Sequence, residues 1–364
     1  MAWRSPLYCL ALLCLRLPVA VPCSFIVANY NLTATHGMKQ IQHANFYNRL
    51  RGPDATNFAM HESWSFIHNL LSMTGAFTLQ PFIHTLADTV AVFNGEIYNY
   101  KEVASELKLA SAPSDGTVIL PAYAKWGGDF VRHLNGEFAI VVVDFKQRTI
   151  LLSTDTFSTK PLFYAMWTPP RTRRQHFVAA SYESVLQRLS APQETIHMAE
   201  PNEVLIFSFR PSGHMNLISR KPLTVFDLSQ FKTHTRDWEA AFRESVRIRT
   251  ASLKHRAFIG LSSGYDSGAI MLALHLARTK FMAYNIPAKE KSSVVQSRIR
   301  YCHNTSDSVV LTVSEAVFER ERRWLQSHCE PMLIAQDTDD DLKKPCEDKA
   351  AVGLSVILSQ VRSL

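Results

Sequence analysis

The chain lacks the patterns that mark several classes of protein. Its six cysteines include no Cys-x-x-Cys pair and stand near no paired-histidine motif, so a zinc site is not expected. Lys and Arg outnumber Asp and Glu by 39 to 32, but no basic run is interleaved with aromatics, which argues against nucleic-acid binding. Repeats and low-complexity segments are also missing. The 364 residues, 46% hydrophobic and 20% charged, predict a globular protein with room for two domains.

The apolar stretch near the N-terminus is too short and too interrupted for a stable membrane span. It runs from Leu7 to Val21 behind Arg4, and Arg16 and Pro18 break it. This pattern predicts a secretory signal peptide or cleaved leader over residues 1–22, and therefore a protein of the secretory pathway or a secreted one. The alternatives are a buried helix or an over-extended start, and the protein would then be cytoplasmic.

Strand patterns dominate the chain up to about residue 210. Strand formers fill Ser24–Ala28, Phe177–Ala180 and Val204–Phe209, and Ala139–Val143 is expected to form a hairpin with Thr149–Leu152. Such β-rich sequence predicts an α+β domain over residues 23–220, with layered antiparallel sheets and flanking helices.

Helical and strand periods alternate from about residue 236. Helices are predicted at Trp238–Leu253, Ala269–Ala277 and Glu315–Gln326, and strands at Ala257–Leu261, Phe281–Ile286 and Val309–Val313. This alternation predicts an α/β domain with a parallel sheet over residues 237–364. The polar segment 221–236, which contains Pro222, is the predicted linker.

The segment Phe93-Asn94-Gly95-Glu96-Ile97-Tyr98-Asn99-Tyr100 places an amide, a glycine and a carboxylate directly after a strand pattern. Asn94-Gly95 is a strong turn signal, because both residues tolerate positive φ. The Asn94 amide and the Gly95 N–H could donate to a developing oxyanion, and Glu96 could hold an ammonium group. An ordinary Asn-Gly hairpin is the alternative.

Two further segments complete a candidate site for a free amino acid. Arg51, in Arg51-Gly52-Pro53-Asp54, could clamp a carboxylate from a tight turn, and the alternative is a plain surface turn. Asp115 begins a predicted helix, where it could assist Glu96 in holding an α-ammonium or merely cap the helix.

These segments resemble, in content and order, the glutamine site of asparagine synthetases, which are class II glutamine amidotransferases. The resemblance covers roughly residues 23–330 and also includes Gln80-Pro81, Leu134–Ala139 and Asp155–Tyr164. It implies an N-terminal nucleophile sandwich for the first domain. It also implies a glutamine site whose members are Arg51, Asn94, Gly95, Glu96 and Asp115.

The resemblance further implies that an N-terminal cysteine is the nucleophile. Cys23-Ser24-Phe25-Ile26 stands where the family has its Cys-Gly-Ile opening. A free α-amino group, with a reference pKa near 8, can serve as the base for such a thiol. We therefore expect the leader to be removed directly before Cys23; a packed or oxidised cysteine is the alternative.

A loop of small residues joins the predicted strand at Ala257–Leu261 to the next helix. Its backbone N–H groups could cradle phosphates, and Asp266 could hold Mg²⁺; an ordinary strand-to-helix loop is the alternative. The loop resembles the ATP-pyrophosphatase loop of the synthetase domain, with Ser263 in place of a glycine and Gly268 in place of a serine. The ATP-binding residues implied are Leu261, Ser262, Ser263, Gly264, Asp266 and Ser267.

The sequence therefore predicts an asparagine synthetase-like, glutamine-hydrolysing enzyme, with glutamine, aspartate and ATP as ligands and ATP and Mg²⁺ as cofactors. Ammonia released at Cys23 would pass to an aspartate that ATP has activated. Since the family's synthetase domain continues well beyond the equivalent of Asp266, the second domain is expected to be truncated. The alternatives are a glutaminase or amidotransferase with an inactive synthetase half, and a non-catalytic glutamine-binding protein.

Overall fold

The computed structural model describes residues 23–229, 231–251, 253, 256–287, 290–330, 334–335, 342–343 and 348–361. The predicted leader, residues 1–22, lies outside the described residues. The chain divides into two compact units, and the division falls between Asp227 and Leu228. No helix in the described ranges is both long and apolar enough to cross a membrane.

The first unit contains twelve strands and five α-helices among its described residues. Its strands are β1 (Ser24–Ala28), β2 (Ala55–His61), β3 (Trp64–Leu70), β4 (Phe82–His84), β5 (Thr89–Ile97), β6 (Gly136–Asp144), β7 (Thr149–Thr154), β8 (Phe163–Trp167), β9 (His176–Ala180), β10 (Ile196–Met198), β11 (Glu203–Phe209) and β12 (Met215–Pro222). Its helices are α1 (Leu32–Ala44), α2 (Phe46–Arg51), α3 (Tyr100–Glu106), α4 (Ile119–Trp126) and α5 (Glu183–Arg188), and short 3₁₀ turns lie at Asp115–Val118, Gly127–His133 and Gln193–Thr195.

These strands form two six-stranded antiparallel sheets packed face to face. The strand order is β10-β8-β9-β1-β3-β2 in one sheet and β12-β11-β7-β6-β5-β4 in the other. Alternate residues of each strand point between the sheets, as with Trp64 and Phe66 of β3 and Val90 and Val92 of β5, which are all buried. The predicted layered antiparallel architecture is confirmed, as is the predicted hairpin, which is β6 and β7.

Helices cover the outer face of each sheet because the outward residues of the strands are also apolar. Phe93 and Ile140 pack with helices α3 and α4 on one side of the sandwich. On the other side, Ile26 and Ile67 pack with α1 and α5. The unit is therefore a sandwich of four layers, with a helical layer outside each sheet.

One prediction about local structure is wrong: Asn94-Gly95 is not a turn. Strand β5 continues through both residues to Ile97, because β6 pairs with it along its whole length. Gly95 has a φ of +145°, and a Cβ atom built on it would lie 1.9 Å from Glu137 O. The glycine is needed because neighbouring backbone fills the place of a side chain.

The second unit contains a parallel three-stranded sheet, as predicted. Its described elements are α6 (Arg236–Thr250), β13 (Ala257–Gly260), α7 (Tyr265–Leu276), β14 (Phe281–Asn285), α8 (Ser292–Tyr301), β15 (Ser306–Val310), α9 (Glu315–His328), a short pair of β16 (Ile334–Ala335) and β17 (Leu342–Lys343), and α10 (Lys349–Val361). The sheet order is β13-β14-β15. Helix α7 begins at Tyr265, four residues earlier than predicted. Gly264, which has extended backbone angles, is its N-cap residue.

Candidate active site

The thiol of Cys23 lies directly before strand β1, against Leu71, the residue that follows β3. Sγ accepts the Leu71 N–H at 3.3 Å and lies 3.6 Å from Leu71 O, and the side chain is buried. Burial raises the pKa of the thiol to about 12; the Leu71 N–H opposes the shift, and the charges of Glu96 and Asp115 add to it. The raised pKa favours the protonated thiol at neutral pH, and a protonated thiol is a weak nucleophile unless a base lies nearby.

A pocket that is open at its mouth is lined by Cys23 and by three other residues that the sequence assigns to the glutamine site: Gly95, Glu96 and Asp115. The rest of its wall comes mostly from the segment between β3 and β4. The remaining lining residues are Leu70, Leu71, Ser72, Met73, Thr74, Ala76, Thr78, Gln80, Phe82, Phe93 and Ser114.

The two pocket carboxylates are held by different donors. The Thr74 hydroxyl donates to Glu96, and the Ile97 N–H donates to Asp115 Oδ2 at 2.9 Å. Asp115 thus ties the 3₁₀ turn at Asp115–Val118 to the end of β5. The alternative role of Asp115 as a helix cap is wrong, because Ser114 holds the cap position and Asp115 is the first residue of the turn. Burial raises the pKa of both carboxyl groups, and the Asp115 charge raises that of Glu96 further.

Glu96 lies near two other carboxyl groups, those of Asp115 and Glu137. Glu137 lies directly across from Glu96 on β6 and pairs with Lys160, whose Nζ is 3.1 Å from Glu137 Oε2. Among the described residues, the charged groups that act on Glu96 are the carboxyl groups of Asp115 and Glu137, which raise its pKa, and the ammonium of Lys160, which lowers it. A bound ammonium group would offset this excess of negative charge.

Arg51 is buried at the end of α2 and is not among the pocket-lining residues. Its guanidinium lies 5.1 Å from the centre of the Tyr182 ring, and its Nε makes no hydrogen bond within the described part of the chain. The predicted tight turn at Arg51 is wrong, since the residue closes a helix. A buried guanidinium with an unpaired donor is suited to an anionic partner such as a carboxylate.

Asn94 is fully buried in β5, next to Gly95. Neither its side-chain oxygen nor its nitrogen has a hydrogen-bond partner among the described residues. Leaving buried polar atoms unpaired costs about 1–3 kcal/mol each, so such a residue is usually kept for a ligand. The unpaired amide agrees with the oxyanion role predicted for Asn94.

The structure adds three residues that the sequence analysis did not assign to the site. They are Thr74, which donates to Glu96; Gln80, whose Oε1 accepts the Phe93 N–H at 2.8 Å; and His68, whose Nε2 lies 3.3 Å from Phe93 O. Gln80 belongs to the Gln80-Pro81 pair already noted in the sequence. Thr74 lies in an irregular segment whose sequence carries no periodic signal.

The loop predicted to bind ATP joins β13 to α7. Its backbone donors are occupied by acceptors of the chain itself: Ser262 N–H bonds to Ser267 Oγ at 3.1 Å, and Gly264 N–H to Ser262 Oγ at 3.1 Å. Glu290 Oε2 accepts both the Ser263 N–H, at 2.5 Å, and the Ser263 hydroxyl. The donors thus already hold a carboxylate, so their chemistry fits an anion such as a phosphate group.

Arg298 closes the other side of this loop. Its Nη1 donates to Ser262 O at 2.6 Å and to Gly264 O at 2.8 Å. Asp266, the predicted Mg²⁺ ligand, is exposed in the first turn of α7. Among the described residues no group of three His, Cys, Asp or Glu side chains stands together as a metal site would require.

Residues 23–233, more than half of the chain, match a family model described as a glutamine amidotransferase domain. Two similar relatives are glutamine-hydrolysing asparagine synthetases, number 2 of Bacillus subtilis (strain 168) and that of Zea mays. The Bacillus subtilis protein is 35% identical over 117 residues, which cover 31% of this chain and 16% of that relative. The Zea mays protein is 31% identical over 118 residues, which cover 32% of this chain and 20% of that relative.

A putative glutamine-hydrolysing asparagine synthetase of Mycobacterium tuberculosis (strain ATCC 25618 / H37Rv) is 41% identical over 81 residues, 21% of this chain and 12% of the relative. The matches therefore span about a fifth or less of these relatives' own lengths. A solved structure, titled as the allosteric regulatory enzyme of purine biosynthesis, is similar with a TM-score of 0.42 and 12% identity, over 79% of this chain and 80% of that one.

Proposed function

Because the chain belongs to the glutamine amidotransferase domain family, we propose that it hydrolyses glutamine at Cys23 and transfers the ammonia to ATP-activated aspartate. It would thus act as a glutamine-dependent, asparagine synthetase-like ligase. One observation carries the first half of this proposal: a single pocket is lined by the Cys23 thiol, the Gly95 backbone and the carboxylates of Glu96 and Asp115.

The pocket, taken together with Arg51 and Asn94, which do not line it, offers a complementary group for each part of glutamine. Glu96 and Asp115 receive the α-ammonium, and Arg51 receives the α-carboxylate. The side-chain amide carbon then lies at Cys23 Sγ, and the oxygen that becomes negative accepts hydrogen bonds from Asn94 Nδ2 and the Gly95 N–H. The S–C bond forms, the C–N bond breaks with release of ammonia, and water hydrolyses the thioester to glutamate.

The base in this proposal is the α-amino group of Cys23. The pocket-lining residues include no histidine and no lysine, and the proposal assigns both carboxylates to the substrate ammonium. A free amine at residue 23 could take the thiol proton directly or through water, and later give it to the leaving ammonia. This requires removal of residues 1–22, as by a leader peptidase in the secretory pathway.

The second half of the proposal concerns the loop between β13 and α7. ATP, with Mg²⁺, would supply the activation of the aspartate carboxylate. The residues that would hold the nucleotide are Leu261, Ser262, Ser263, Gly264 and Ser267, with Asp266 for Mg²⁺. The support for this half is the Glu290 carboxylate, which the Ser263 donors already bind as they would bind an anion.

A test uses the chain produced with Cys23 as its first residue. We expect glutamate release from glutamine, and AMP release only when aspartate, glutamine and MgATP are all present. The matched controls are Cys23→Ala and the chain with residues 1–22 retained, both expected to release no glutamate. Absence of glutamate from the processed chain contradicts the first half of the proposal, and glutamate without AMP contradicts the second.

A further inference from the structure

His68 is a buried histidine that the proposed mechanism does not use. It lies on β3 opposite Phe25 of β1, two residues beyond Phe66 and four beyond Trp64. Because side chains alternate along a strand, His68 faces the same layer between the sheets as those two aromatic residues. Its side chain is fully buried at the end of that layer.

The contact that His68 makes indicates which of its ring nitrogens carries the proton. Nε2 lies 3.3 Å from Phe93 O, which can only accept a hydrogen bond, so Nε2 carries the proton and donates. Burial lowers the pKa of the imidazole to about 3, against the opposing effect of that hydrogen bond. Burial thus favours the neutral imidazole, and the Nδ1 atom of His68 has no hydrogen-bond partner among the described residues.

This hydrogen bond lies where β5 is no longer paired with β4. Strand β4 pairs with β5 only from Thr89 to Ala91, so β5 has no β4 partner beyond that point. Two side chains bond the Phe93 backbone there: Gln80 Oε1 accepts its N–H at 2.8 Å, and His68 Nε2 donates to its C=O. We call these two contacts the Phe93 clamp.

The Phe93 clamp lies one residue before Asn94 and Gly95, the proposed donors to the oxyanion. Asn94 and Gly95 follow Phe93 directly, on the sheet that does not carry the nucleophile. His68 belongs to the other sheet, in which β3 pairs with β1, the strand that Cys23 precedes. The bond from His68 to Phe93 thus joins the sheet of the nucleophile to the strand of the oxyanion donors.

We infer that His68 is a positioning residue for glutamine hydrolysis, which holds Asn94 and Gly95 at the correct distance from Cys23 through the backbone of Phe93. The inference rests on the proposed function of this pocket. Oxyanion donors act on charge that develops only in the transition state. Loss of the bond therefore lowers kcat much more than it raises the KM for glutamine.

The test compares His68→Phe, which keeps a ring but has no donor, with His68→Gln, which keeps an N–H donor. The first is expected to lower kcat by at least about tenfold with KM changed by less than about threefold, whereas His68→Gln retains kcat within about threefold. Rates are taken per active site, counted by titration with a thiol-reactive glutamine analogue. The matched control is His176→Phe, on β9, where the imidazole stacks on Tyr30 at 3.9 Å.

Hydrogen exchange supplies a second readout that does not depend on activity. Amides of residues 93–97 are expected to exchange faster in His68→Phe than in the parent chain, and at the parent rate in His68→Gln and His176→Phe. Gln80→Met removes the other half of the Phe93 clamp and is expected to give the same faster exchange, which keeps the test open if His68→Phe does not fold.

Three results would overturn the role of His68: kcat of His68→Phe within about threefold of the parent, an equal loss in His68→Gln, or unchanged exchange in residues 93–97. Failure of the proposed function gives a different result. In that case the parent chain itself releases no glutamate, while hydrogen exchange still measures the contribution of the Phe93 clamp.

Discussion

At the scale of single residues, Gly95 shows how backbone rather than side chains shapes the pocket. Its φ of +145° and the 1.9 Å from its Cβ position to Glu137 O exclude any side chain unless β5 moves away from β6. We expect Gly95→Ala to destabilise the protein by more than about 2 kcal/mol and to abolish glutamate release. Chemical unfolding and the glutamate assay would measure the two effects.

The control for this variant is Gly127→Ala. Gly127 also has a positive φ, +57°, but nothing lies within 4 Å of its Cβ position. Its substitution carries the conformational strain without the collision, so the difference between the two variants isolates the effect of Glu137 O. Equal loss of stability in both would contradict the steric explanation.

At the scale of elements, the loop between β13 and α7 is held in its present form by Glu290. An anion that binds the Ser263 donors must first displace this carboxylate. We therefore expect Glu290→Gln to bind pyrophosphate or MgATP several-fold more tightly, because the amide of glutamine is a weaker and uncharged acceptor. Titration calorimetry measures the affinity directly.

Glu319→Gln, on α9, serves as the control for loss of one negative charge in the same unit. If both variants gain affinity equally, the effect comes from net charge and not from competition for Ser263. An unchanged affinity in Glu290→Gln alone would argue against phosphate binding at these donors.

The elements also show what sequence can predict here. The sequence predicts strands such as β1, β6 and β11 because each is a local run of strand-forming residues. Asn94-Gly95 was misassigned as a turn because the pairing with β6 that keeps it extended comes from residues some 40 positions away. No local sequence pattern predicts that Thr74 lines the pocket or that the Phe93 clamp forms, because both depend on contacts between segments that are distant in sequence.

At the scale of the whole molecule, the buried carboxylates make stability depend on pH. The pKa of Glu96 is raised in the folded state, by burial first and then by Asp115, so between its ordinary and its raised pKa the folded chain binds more protons than the unfolded one. The free energy of unfolding therefore falls as pH rises through that window. We expect Glu96→Gln to flatten this slope in denaturant titrations taken from about pH 4 upward.

Glu102→Gln, which alters an exposed glutamate on α3, should leave the slope unchanged. Glutamine or a non-hydrolysable analogue should also flatten it in the parent chain, because the bound ammonium offsets the carboxylate charges. A parent chain whose stability is level or rises over this range would contradict the burial of an unbalanced charge.

The contact between Arg298 and Gly268 makes the effect of one substitution depend on the other. A Cβ atom at residue 268 would lie 2.5 Å from Arg298 Cζ, so any side chain there would push the guanidinium off the carbonyls of Ser262 and Gly264. The guanidinium is the end of a flexible side chain, so a larger residue at 268 would displace it and remove these two hydrogen bonds. Gly268→Ser and a substitution of Arg298 should therefore have non-additive effects, which a double-mutant cycle on the two positions measures.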